Sequence, residues 1–312
     1  MPVEIADSAG LDLAGYIRPG AMVAWGQGCA EPLTLTEALA EQRKQLGGVR
    51  CFAGISTTAA VRPEHCDYLS FSSYTAAGAN RALSQAGLLD IVLRHLHGHR
   101  DLGVHSGMIT DETAALIEAG VITGARKSVD RGLTVTGLLL GSQALIKTAA
   151  VDKSIRLRDT RYTHDQAVLA AQHALVAINS AIEVDLTGQA NIEVAAGRYI
   201  GGTGGAADFL RGAARSAGGV PVIALPSTTG PLTTGPSTTG PSTAGPSSAG
   251  TASRIVARLN GPAGLARADA GVIVTEYGVA DLRGLSLARR RERMIAIAHP
   301  DHRAALESAA GD

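Results

Sequence analysis

Little in this sequence can stack, cross-link or attract charge over a distance. Aromatic residues make up 3% of the 312-residue chain, with one tryptophan and three phenylalanines, so any core must be built from small aliphatics. The three cysteines (Cys29, Cys51, Cys66) form no CxxC pair, which excludes a disulfide framework and a zinc knuckle. The formal net charge is zero, 28 basic against 28 acidic side chains, and the basic excess of a nucleic-acid binder is missing. No apolar run approaches the length of a membrane span. The N-terminal Met-Pro-Val-Glu-Ile-Ala-Asp has no basic stretch followed by an apolar one, so no signal peptide is expected. These absences point to a cytoplasmic protein with neither nucleic acid nor membrane as partner. No GxSxG nucleophile elbow occurs. The alternating His95, His97 and His99 read as a polar loop rather than metal ligands, and no metal is expected.

What the chain does have is glycine, 38 residues of it, and hydrophobic content of 45%, an ordinary globular composition. Short apolar runs alternate with helical patterns. Ala21–Trp25 and Val49–Ala53 read as strands around a helix over Thr34–Gln45, with Thr34 and Glu37 as a capping box. A helical pattern over Ala79–Leu96 is interrupted by Gly87. From residue 101 the alternation is regular: strands at 101–105, 133–140, 177–186, 220–225 and 271–275. Helices are expected at 111–119, 142–150, 206–216, 286–298 and 301–309. This predicts an α/β fold with largely parallel sheets. Residues 226–250 break the order as five Pro/Gly/Ser/Thr pentads, which offer no hydrophobic face and read as a flexible surface loop inside the second domain.

Three groups of residues could carry chemistry. Gly201-Gly-Thr-Gly-Gly205 lies just before a helical pattern, where mobile backbone and a helix N-terminus could receive a phosphate or an oxyanion. It also fits a dinucleotide fingerprint loosely through Gly202, Gly204 and Ala207, or a purely structural turn. Glu183 and Asp185 have strand spacing and share a face, as acid–base pairs do and as half-exposed strands also do. Glu276 follows an apolar strand, at the end where α/β sites collect. The run Arg289–Arg293, broken by Glu292, reads as a solvated helix face.

Several blocks are together similar to one family. They are His105-Ser-Gly-Met108, Ile117–Gly124, Asn179–Gln189, Gly201–Gly205, Ala224–Ser227, Val274–Gly284 and Ile297–Asp301. In order and wording they resemble the acetyl-CoA hydrolase / 4-hydroxybutyrate CoA-transferase family, closely over residues 101–304 and loosely over 13–96. The resemblance implies two related α/β halves. Here they are a shortened N-terminal half, 1–96, and a C-terminal half, 97–312. It also implies coenzyme A as substrate, acyl-CoA and a small carboxylate as partners, and room for a homo-oligomer. Catalysis in that family is ping-pong: a glutamate attacks the thioester, giving an acyl-glutamyl anhydride and then a glutamyl-CoA thioester. The loop matching Gly201, Gly202, Gly204 and Gly205 would lie against the thioester. Two departures stand out. The nucleophile position is Gly107, and the block the family inserts between about 93 and 101, with its glycine-rich CoA turn, is missing. The expected activity is therefore CoA transfer between short carboxylic acids or thioester hydrolysis, with Glu183, Glu276 and Asp111 as candidate bases. The alternative is a catalytically silent homologue acting as a binding or assembly partner.

Overall fold

The computed structural model describes residues 11–25, 32–52, 63–72, 92–195, 197–229 and 252–309. The chain divides into two compact units, Met1–Ala82 and Leu83–Asp312. The glycine turn 26–31, most of the 79–96 pattern and the pentads from residue 230 on lie outside the described residues.

The first unit contains β1 (Met22–Ala24), α1 (Leu33–Gln42), β2 (Val49–Phe52) and β3 (Leu69–Ser72). The three strands pair in parallel in that order. Leu39, Leu46, Val49, Cys51 and Leu69 form its small aliphatic core. The capping box does not form. Helix α1 starts at Leu33 with Pro32 as its N-cap and no side-chain cap. Pro32 has no N–H and a fixed φ, which suits a helix start, so Thr34 falls inside the first turn. Gln42 ties the helix to the incoming chain: its Oε1 accepts from the Leu13 amide at 2.8 Å and its Nε2 donates to the Leu11 carbonyl at 2.6 Å.

In the second unit, β4 (His105–Ser106), α2 (Asp111–Glu118), β5 (Thr134–Thr136), α3 (Gln143–Val151) and β6 (Ile155–Leu157) form a parallel βαβαβ layer. Two short helices follow, α4 (Thr160–Thr163) and α5 (Gln166–Ala171). Next come β7 (Val176–Asn179), β8 (Glu183–Asp185), β9 (Ala190–Asn191), β10 (Val194–Ala195) and β11 (Arg198–Tyr199). The chain ends with α6 (Ala206–Arg215), β12 (Val220–Ala224), β13 (Ile255–Val256), β14 (Val272–Thr275), β15 (Gly278–Asp281), α7 (Leu287–Ala296) and α8 (Pro300–Ala309).

The main sheet runs β15-β14-β12-β7, with β7, β12 and β14 parallel and β15 antiparallel. Helix α6 packs on β12 and β7 and buries Leu210 and Ala213. The large core joins these to Ile223, Ile273, Leu282 and Met294. The α/β class with mainly parallel sheets is thus as expected. The strands are shorter than the sequence pattern suggests, because Gly103, Gly107, Gly137 and Gly141 punctuate the first layer and leave only bridges at Leu102 and Leu139.

The span 177–186 is a correction: it holds two strands in different sheets, β7 in the main sheet and β8 between β13 and β9. All three residues of β8 are buried, so the expected half-exposed carboxylate face does not exist. Both carboxylates are buried because hydrogen bonds satisfy them, from the distant Asn260 for Glu183 and from the adjoining Thr187 and Gln189 for Asp185. Arg289, Arg291 and Arg293 of the arginine run are exposed on α7, whereas Arg290 is half-buried and donates to the Thr187 and Arg267 carbonyls.

Candidate functional site

The carboxyl ends of β4, β5 and β6 lead directly into Gly107, Gly137 and the 158–164 segment, and these three converge. A Cβ built on Gly137 would lie 3.1 Å from the Gly107 carbonyl oxygen and 3.4 Å from Thr163 Oγ1. Glycine at 137 is what allows this approach. A Cβ on Gly107 would lie 3.1 Å from His164 Cε1, 3.3 Å from His164 Nε2 and 3.8 Å from Phe209 Cε2. The His164 ring therefore stands over Gly107, where a side chain at that position would begin.

Local capping holds His164 in place. It is the C-cap of α4, between the N-cap aspartates of two consecutive helices. Asp159 Oδ1 accepts from the Tyr162 amide, and Asp165 Oδ1 accepts from the Ala167 and Val168 amides. Thr163, fully buried, bonds His164 Nδ1 through its hydroxyl at 2.9 Å. The same hydroxyl donates to the Asp159 carbonyl at 3.3 Å. When the hydroxyl proton goes to the carbonyl, Nδ1 carries the ring N–H and Nε2 keeps its lone pair. Below it, the buried His105 on β4 donates from Nε2 to the Thr163 carbonyl at 3.2 Å and accepts at Nδ1 from Gln172 Nε2 at 3.4 Å. Burial holds both imidazoles below the usual histidine range, a trend that the nearby Asp208 carboxylate opposes at His164 and the Lys127 ammonium reinforces at His105.

The glycine-rich loop closes the other side. Gly204 takes a positive φ of +57°, and Gly205 is the N-cap of α6 with no side-chain cap. A Cβ on Gly205 would collide with His164 Nε2 and Cδ2, so the imidazole lies against the first turn of this helix. The first amides of a helix have no intrahelical carbonyl partner and carry the positive end of its dipole. Phe209, one turn along α6, meets the imidazole edge-on at 5.0 Å between centroids. Gly107 and the Gly201–Gly205 loop are thereby brought together, with His164 between them.

The carboxylates sit elsewhere. Glu183 Oε1 accepts from Asn191 Nδ2 at 3.0 Å and the Asn260 amide at 2.7 Å, and Oε2 accepts from Asn260 Nδ2 at 2.8 Å. Asp185 is equally engaged, with Oδ1 on the Thr187 amide and hydroxyl and the Gln189 amide, and Oδ2 on Gln189 Nε2. Asp111 caps the next helix, accepting from the Ser142 amide at 2.8 Å and hydroxyl at 2.7 Å. Glu276 follows β14 and accepts from the Ser227 amide at 2.8 Å and hydroxyl at 2.6 Å. Burial pushes the Glu276 carboxyl up, but the two Ser227 bonds outweigh it and leave the group below the usual carboxylate range. Helix α6 runs into β12 antiparallel to the strands, so its N-terminus and Glu276 lie on the same carboxyl edge of the main sheet. Among the described residues, no cluster of three or more His, Cys, Asp or Glu could hold a metal ion.

The family model for the acetyl-CoA hydrolase/transferase C-terminal domain matches residues 141–310, more than half of the chain. The chain belongs to this family. Over 239 residues it is 35% identical to a protein of Fasciola hepatica named succinyl-CoA:acetate/propanoyl-CoA:succinate CoA transferase, a match covering 75% of this chain and 46% of that one. It is likewise 35% identical to the 4-hydroxybutyrate coenzyme A transferase of Clostridium kluyveri, covering 73% of this chain and 50% of that one. The crystal structure of a 4-hydroxybutyrate CoA-transferase from Porphyromonas gingivalis superposes with a TM-score of 0.69 at 25% identity, covering 95% of this chain and 94% of that one. This member of the acetyl-CoA hydrolase/transferase family thus spans about half the length of the curated relatives it matches. Sequence reasoning missed His164, Thr163 and Phe209. The only local signal was a lone histidine between two helix-capping aspartates.

Proposed function

We propose that this chain acts on short acyl-CoA thioesters at the junction of Gly107, His164 and the Gly201–Gly205 loop, releasing coenzyme A to water. The observation that carries the reading is the convergence, on one carboxyl edge, of a glycine loop at a helix N-terminus with an imidazole that has a free lone pair, in a chain of a family of acyl-CoA enzymes. Unspent amides of the α6 first turn suit the oxyanion that forms when a thioester carbonyl is attacked. Gly201, Gly202, Gly204 and Gly205 are then the thioester-binding residues and Gly107 the floor of the site. With no carboxylate at 107, no acyl-glutamyl anhydride can form there. That makes hydrolysis the favoured outcome over transfer to a second carboxylate. Glu183 keeps a folding role, since its oxygens are taken up by Asn191 and Asn260. Glu276 is an ionised carboxylate that fixes the 227 turn on the same edge. Coenzyme A is the leaving group, no metal takes part, and the setting is cytoplasmic, with self-association left open by the fold.

The test follows thiol release and acyl exchange separately, with acetyl-, propionyl- and butyryl-CoA and a small carboxylate. Thiol release without exchange is the expected result. Exchange dominating release would replace hydrolysis by transfer. Silence in both, with no coenzyme A binding, would favour a homologue that serves as a binding partner only.

A further inference from the structure

We propose that His164 is the catalytic base of this site, its Nε2 taking the proton from a water that attacks the thioester carbonyl above Gly107. The inference rests on the acyl-CoA reading above and deepens it. The ring stands over Gly107, with a built Cβ only 3.1 Å from Cε1 and 3.3 Å from Nε2, and on its other side meets Gly205. Both neighbours are glycines, so on these two sides the nitrogen faces main chain rather than side chains. With the Thr163 hydroxyl donating to the Asp159 carbonyl, Nδ1 holds the ring proton, and Nε2 is the acceptor a base requires. His164 is half-buried. Burial also keeps it unprotonated near neutral pH. The charged and titratable groups facing it are Asp208 on α6, which opposes that effect, and His105 on β4.

In the step, water loses a proton to Nε2 and its oxygen bonds to the carbonyl carbon. The carbonyl oxygen becomes an oxyanion facing the first-turn amides of α6. The C–S bond then breaks, and the departing thiolate takes the proton back from Nε2. Acyl-CoA and water give a carboxylic acid, which ionises, and free coenzyme A. No oxidant, metal or second substrate is consumed. A histidine that merely packs against Phe209 would have no need of a threonine that fixes its tautomer.

The experiment compares the whole chain with His164→Ala and His164→Gln, reading thiol release from acetyl-CoA, coenzyme A binding by calorimetry, and the pH profile. General-base contributions are about 10²–10⁴-fold, so kcat should fall by at least about a hundredfold in both variants while coenzyme A binding persists. Added imidazole should restore part of the rate to His164→Ala but not to wild type, a response that a packing role would not give. Wild-type kcat should rise with pH along an acid limb below the usual histidine value, and both variants should lose that limb. Wild-type turnover with His164→Ala within threefold of it, or a variant beyond imidazole rescue that still folds and binds coenzyme A, would overturn the base and leave the acyl-CoA reading standing. Wild-type silence on every thioester would overturn both.

Discussion

Placing a glutamate at position 107 tests whether the imidazole truly holds the space above it. Gly107 is not among the glycines with positive φ, so a side chain there meets no backbone strain. The obstacle is His164. The new Cβ would lie 3.1 Å from Cε1 and 3.3 Å from Nε2, tighter than ordinary van der Waals contact, so the ring must retreat by a few tenths of an ångström. Its retreat is blocked by Gly205 on one side and resisted by the 2.9 Å bond from Thr163 to Nδ1 on the other. Overpacking of this kind costs about 1–3 kcal/mol, and we expect Gly107→Glu to lose about 2 kcal/mol.

The partner variant is His164→Ala, which opens the space, and the double variant completes the cycle. In the double variant the glutamate enters a vacated site, so its cost should be smaller by about 1–2 kcal/mol, within the usual range for contacting residues. Urea unfolding at pH 8 is the assay, with the m-value checked for constancy. At that pH the imidazole is neutral, so attraction between a new carboxylate and an imidazolium does not mask the crowding. Additivity within about 0.5 kcal/mol, or a single variant as stable as wild type, would refute the placement of the ring. Acyl exchange measured on the same proteins should appear in the double variant rather than in Gly107→Glu alone.

Other positions make independent predictions. Gly212→Ala in α6 gains about 1 kcal/mol of helix propensity, but its Cβ would collide with Leu169 Cβ and reach Leu169 Cδ1 at 3.1 Å. We expect a net loss of about 1–2 kcal/mol, and a stabilised variant in thermal melts would show that α5 and α6 are not in close contact. Glu183→Ala strands the Asn260 amide and side chain and leaves Asn191 Nδ2 with only the Val194 carbonyl, a loss of about 3 kcal/mol, while Glu183→Gln, which keeps one acceptor, should lose less. If the two variants melt alike, the network is not what stabilises β8. Acid should weaken the fold early. His105 and His164 both titrate below the unfolded histidine value, so the unfolded chain binds more protons as pH drops below about 6.5. Stability present above that pH is then lost as it falls through the folded values. Glu276, lowered by Ser227, adds a later loss below the carboxylate range. Urea midpoints that stay flat between pH 7.5 and 5.5 would contradict the histidine argument, and His164→Gln should reduce that slope.

The α/β class was legible because helices such as 206–215 and strands such as 272–275 show their own periodicity, and each pattern is local. The glycine loop was legible for the same reason, as a run of glycines ahead of a helix. What escaped was anything supplied from far along the chain. Period-two spacing placed Glu183 on an open strand face, yet Asn260, 77 residues away, brings the hydrogen bonds that let it be buried. The capping box at Thr34 failed because Pro32 set the helix start. His164 carried no weight as a lone histidine. It matters only because β4, β5 and β6 end side by side, which places residues 107, 137 and 163 together, and no single-sequence pattern encodes that adjacency.

Gly107 and His164 form one arrangement. A glutamate at 107 and an imidazole in the observed position compete for the same few ångströms, so the chain can use that space for one group or the other without strain. A glycine at 107 with no ring beside it would leave a gap against the first turn of α6, to be filled by water or by collapse. Instead the space holds a ring fixed by a threonine, edged by Phe209 and seated on a peptide that His105 anchors from beneath. Three independent side chains orienting one half-buried imidazole is more organisation than filling a gap requires. The glycine is therefore what allows the histidine to face the loop, where the proposed function has it activate water.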